Sequence, residues 1–91
     1  MRRAPFLLSV LTLAACMDPT AAPEAYLRMR QQAACASTIA AHINRSVTEV
    51  APRWLSETNG IATVETMDGT RRHLCSVDGS ARVTGYSHPR G

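Results

Sequence analysis

The sequence predicts an α+β fold, one N-terminal helix packed on a three- to four-stranded antiparallel meander. Two observations predict it. From Glu24 to about Arg45 apolar residues recur at helical spacing. Beyond the helix the period changes to two, and Asn59-Gly60, Asp68-Gly69 and Asp78-Gly79 punctuate the chain at regular intervals as hairpin signals. A length of 91 residues allows one small domain with a modest core, so its stability must be helped from elsewhere.

Taken in chain order, residues 1–15 read as an export signal. Arg2 and Arg3 precede an apolar run, Phe6 to Ala15, which Asp18, Pro19 and Pro23 close short of the roughly twenty apolar residues a spanning helix needs. The run ends on Leu13, Ala14, Ala15 and Cys16. This LAAC resembles the lipobox of bacterial lipoprotein signal peptides, in which a branched apolar residue and two small ones precede the acceptor cysteine. The resemblance implies a diacylglyceryl group on the Cys16 sulfur, cleavage before Cys16, and commonly acylation of the new amino terminus. It covers the targeting segment alone and matches there at every position. An ordinary signal peptidase fits less well, because Leu13 stands where a cut after Ala15 wants a small residue and a cut after Ala22 meets Pro23. One acyl chain binds reversibly and two or more hold firmly, at roughly 0.8 kcal/mol per buried methylene. Residues 16–23, CMDPTAAP, are then the lipidated cysteine and a tether without periodicity. The tether reaches at most about 25 to 29 Å and keeps the domain close to its membrane.

Lipidation makes sense of the cysteines. The chain has three, and with Cys16 acylated Cys35 and Cys75 remain as a pair, for which a disulfide is the expected use in a small exported domain. Closing a loop of about forty residues stabilises by roughly 4 kcal/mol on the chain-entropy estimate. The charge also changes meaning: the formal +3 includes Arg2 and Arg3, and without them eight arginines face seven carboxylates, a net +1. With no basic stripe interleaved with aromatics, nothing points to a nucleic-acid partner.

In the helix, Pro23 suits the first turn and Glu24 complements its positive end. Met29, Ala33, Ala36, Ala40, Ile43 and Val47 draw one apolar stripe, read as the core face rather than a membrane-lying or partner-binding one, with Cys35 and Ile39 on its margin. Arg30, Ser37, Ala41 and Arg45 form the opposite side. The turn signals then delimit four strands: Val47 to Ser56, Ile61 to Met67, Arg71 to Val77 and Ala81 to Ser87. Pro52 makes the first an edge strand, bulged, or partly irregular.

Register follows from the turns. A two-residue turn at Asp68-Gly69 sets Glu65 opposite Arg72 and Ala62 opposite Cys75, and a three-residue loop from Asp78 to Ser80 sets Cys75 opposite Val83 while keeping Arg82 out. His73, Cys75 and Val77 then face the helix, with Cys75 aimed at Cys35. A cysteine-bearing helix, an NG turn and RRHLCSVDGSARV also resemble small uncharacterised proteobacterial envelope lipoproteins, over Cys35 to Tyr86. That resemblance implies architecture only.

Catalytic signatures are mostly missing: there is no Gly-rich phosphate loop, H-E-x-x-H, C-x-x-C or G-x-S-x-G. His42, His73 and His88 accompany serines and aspartates, but a triad is a matter of geometry. The sharpest chemical alternative is a metal site: Cys35 and His42 lie two helical turns apart, His73 and Cys75 share one strand face, and the four could converge if helix and strand meet. A disulfide forbids it, since a bonded sulfur is no thiolate ligand. His73 alone reads as a half-buried strand residue, Trp54 with Leu55 as core rather than a docking patch, and YSHPRG as a frayed tail.

The organisation expected is therefore a signal peptide over 1–15, a lipidated Cys16 with tether over 16–23, a small α+β domain over 24–88 and a tail over 89–91. The function expected is a lipid-anchored, non-catalytic binding or assembly module of the bacterial cell envelope, without cofactor. Its partners are the membrane and an envelope protein, and the inner and outer membranes are not distinguished. The alternatives are a small inhibitor or immunity-type envelope protein, with Trp54 as its aromatic wedge, and a metal-binding domain using Cys35, His42, His73 and Cys75.

Overall fold

A computed structural model of the chain describes residues 23–89. The expected leader, Cys16 and all of the tether except Pro23 lie outside the described residues. Helix α1 spans Pro23–Ile43, with Glu24 in its first turn. It stops two residues before the expected Arg45 because Asn44 turns left-handed, at φ 60°. The Arg45 N–H then returns to the Ala40 carbonyl at 2.8 Å and that of Asn44 to Ala41 at 3.3 Å, the paired bonds of a Schellman cap.

The first expected strand begins later than its apolar residues indicate. Ser46 and Glu49 form a capping box: the Ser46 side chain accepts from the Thr48 N–H, and Glu49 Oε1 accepts from the Ser46 N–H at 3.0 Å. Val47–Glu49 is therefore a single 3₁₀ turn, and Val47 is exposed rather than the end of the helix stripe. Strands β1 (Ala51–Thr58), β2 (Ile61–Asp68), β3 (Arg71–Val77) and β4 (Val83–Ser87) follow. They pair antiparallel in the order β1-β2-β3-β4, so the architecture is the predicted helix on a four-stranded meander. Pro52 sits on edge strand β1, where half the amides need no ladder partner, and the register slips between Trp54 and Ser56, a bulge at Leu55.

The turns set a register different from the expected one. Asn59 and Gly60 both have positive φ, 52° and 82°, the type I′ pattern that NG favours. In the second hairpin Asp68 pairs with Arg71, so the turn is Gly69-Thr70 rather than Asp68-Gly69. Only Gly69 takes positive φ, 62°, as a type II′ turn requires at its first central position. Glu65 is thus opposite Leu74, Met67 opposite Arg72, and Cys75 opposite Val64. The shift preserves the parity of the strand, so each side chain stays on its predicted face.

The third loop has the expected three residues but starts one position later, at Gly79. Asp78 is its flank: its N–H donates to the Arg82 carbonyl at 2.9 Å, and its Oδ1 accepts from the Ser80 and Arg82 N–H groups, each at 2.9 Å. Ala81 supplies the left-handed residue, φ 61°, usually filled by glycine. A further slip between Ser76 and Val77 leaves Cys75 opposite Tyr86, not Val83.

The core lies between α1 and one sheet face. Cys35, Ile39, Ala62, Val64, Cys75 and Val77 form its buried cluster, and Ala36, Ala40 and Val50 a second one beside it. The helix is rotated from the expected stripe: Met29 is 63% exposed and Ala33 is exposed, while Cys35 and Ile39 occupy the centre at 0%. Two glutamines account for part of the rotation. Gln31 is buried, donating through Nε2 to the Asp78 carbonyl at 2.9 Å and accepting from Trp54 Nε1 at 2.9 Å, while Gln32 Oε1 accepts from the Trp54 N–H at 2.7 Å. The Cys35–Cys75 disulfide fixes the remainder, with Cα atoms 5.8 Å apart. On the face away from α1, Glu65 receives Arg72 at 3.0 Å and Arg53 at 3.5 Å, a three-strand charge bridge.

Candidate functional site

The chemistry-bearing side chains of the domain gather where the last turn of α1 meets β3 and the end of β4. His42 comes from that last turn and His73 from the helix-facing row of β3. The slipped register brings the third histidine to them. With Cys75 opposite Tyr86, continuing the pairing by two residues places His88 opposite His73. Their rings stack, with centroids 5.3 Å apart and planes inclined by 25°. Tyr86 packs on His42 with centroids 5.0 Å apart, and its hydroxyl lies 3.2 Å from His42 Nδ1. A cavity of about 110 Å³ is lined by His42, His73, Tyr86, Ser87 and His88.

His73 is the unusual member. It is 2% exposed, and its Nε2 has no hydrogen-bond partner. Burial pushes its pKa down from 6.5, His88, Arg71 and His42 push the same way, and Asp68 opposes them. The imidazole is therefore held neutral at neutral pH, since desolvation and neighbouring positive charge both disfavour the cation. Next to this site, the Thr66 hydroxyl, in a fully buried residue, donates to the Cys35 sulfur at 3.1 Å.

The four-ligand alternative does not assemble. Cys35 and Cys75 are bonded to each other, so neither sulfur is a thiolate donor. Among the described residues no three His, Cys, Asp or Glu side chains stand where one ion could be held.

Trp54 is half-buried and pinned, not an exposed wedge. Beyond its bonds to the glutamines, its ring is covered by the Arg28 guanidinium, 4.0 Å from the centroid. It walls an open cleft of about 380 Å³ with Glu24, Leu27, Gln31 and Glu57. Cys16, expected to carry the lipid, lies outside the described residues, and among those described no helix is long and apolar enough to cross a membrane.

Sequence reasoning placed His73 on the helix-facing side and paired the two cysteines, but it missed Gln31, Gln32, Tyr86 and His88. The glutamines carry no motif, and the Tyr86-His88 spacing became informative only with the bulged register of β4. Comparison with known proteins gives no match: no family model, no curated protein and no solved structure matches the chain.

Proposed function

We propose that the chain is a lipid-anchored cell-envelope protein whose α+β domain is a non-catalytic binding or assembly module held at the membrane through Cys16. The observation that carries this reading is LAAC at the end of a short apolar run behind Arg2 and Arg3. The disulfide supports it, because bonded cysteine pairs belong to oxidising compartments and the one remaining cysteine is the lipobox residue. The non-catalytic part rests on how the reactive groups are engaged: both core sulfurs are bonded, Trp54 is pinned, and His73 is stacked and buried.

Intact mass of protein extracted from membranes tests the reading. The expected result is a chain starting at Cys16 with added acyl mass, and a Cys16→Ser variant that loses both the acyl mass and the membrane fraction. A Cys16→Ser variant that keeps the same mass shift and fractionation overturns it.

A further inference from the structure

We propose that the His73–His88 pair is an acid-operated latch that holds the end of β4 on β3 at neutral pH and releases it on acidification. The geometry is that of a cross-strand pair, and directly opposed like charges destabilise a sheet. As neutral rings the two imidazoles stack at 5.3 Å. As imidazolium ions they place two positive charges at that separation, and the inner one has no partner at Nε2.

The groups around His73 reinforce that sign from each element packed on it. From α1 comes His42, and from β4 Tyr86, whose hydroxyl lies against His42 Nδ1. From its own strand comes Arg71, permanently positive. From β2 comes Asp68, the opposing carboxylate among the described residues, which already pairs with Arg45 at 3.9 Å. The outer member of the latch is the movable one: His88 is exposed and follows the last strand residue, Ser87, whereas His73 is locked between β2 and α1. Protonation therefore relieves itself by lifting His88, opening the cavity lined by the histidines and freeing the outer edge of β3 next to His73.

The test follows the full chain by NMR between pH 7.5 and pH 5, reading imidazole titrations and the hydrogen-exchange protection, corrected for intrinsic exchange, of whichever of the Tyr86 and Ser87 amides bonds to β3. The expected result is a fall of tenfold or more in protection at the end of β4, in step with His73 titration, while the β2–β3 amides hold theirs. His88→Phe keeps a ring on His73 without a charge, so protection there should change less than threefold and the His73 titration midpoint should move up. Protection that stays constant in the native chain, or falls equally in His88→Phe, overturns the latch.

Discussion

Reduction of Cys35–Cys75 is the perturbation with the largest expected effect on stability. The bonded residues are 40 positions apart, and the chain-entropy relation assigns about 4 kcal/mol to a closed loop of that length at 25 °C. Against this stands a whole-domain stability of roughly 3 to 10 kcal/mol for a fold of this size. The core offers little in reserve, since its largest fully buried side chains are Ile39, Val64 and Val77. The assay is urea unfolding followed by the emission of Trp54, the sole tryptophan, whose ring separates from Arg28 and Gln31 when α1 leaves β1. With a urea slope of about 1 kcal/mol per M, reduction should lower the midpoint by about 4 M or leave the chain unfolded without denaturant. Cys35→Ala with Cys75→Ala should cost about 1 kcal/mol more per sulfur, because each was packed at 0–1% exposure. Oxidised and reduced midpoints within about 1 M of each other would refute the reasoning and shift the burden of stability to helix–sheet packing.

Three further outcomes are expected. Ala81→Gly should stabilise by about 0.5 to 1 kcal/mol by the same unfolding measurement, because the left-handed φ of 61° costs an alanine more than the entropy lost by glycine in that loop. Trp54→Phe should cost about 1 to 2 kcal/mol, because the buried Gln31 loses its indole donor; a simultaneous Gln31→Leu should recover part of that cost in a double-mutant cycle. Stability should also fall as the pH drops below about 6.5: the unfolded chain takes its His73 proton at the ordinary value while the folded one resists it, so the loss runs from there down through the lowered folded value. Thermal midpoints in a pH series should show it, and a His73→Gln variant should flatten that limb. The contribution of Asp78, whose pKa is lowered by the Arg82 and Ser80 N–H groups, is present above about 3.8 and lost as the pH falls through its folded value, a separate window.

Much of this protein is local chemistry and was legible without coordinates. The strand cut points follow from turn residues whose φ preferences need no partner: Asn59-Gly60 gave its hairpin directly, and β3 has its predicted limits, Arg71–Val77. The face that β2 and β3 turn to the helix survived a register shift because alternation has period two. The cysteine pairing was legible by elimination. The capping box of Ser46 and Glu49 is also written in the sequence, at the point where Val47 both continues the apolar spacing of the helix and opens the expected first strand.

What tertiary structure decided is rotation, register and company. The helical stripe of Met29 and Ala33 satisfies periodicity as well as the observed face does, and only the disulfide with the Gln31 and Gln32 bonds to Trp54 and Asp78 turned Cys35 inward. A bulge of one residue in β4 then moved Tyr86 opposite Cys75 and carried His88 onto His73. Neither outcome has a local signature. Hydrophobic spacing leaves the rotation of a stripe open, and moving a hairpin turn by one residue shifts its pairing by two and keeps every face, so long-range bonds choose between near-equal alternatives.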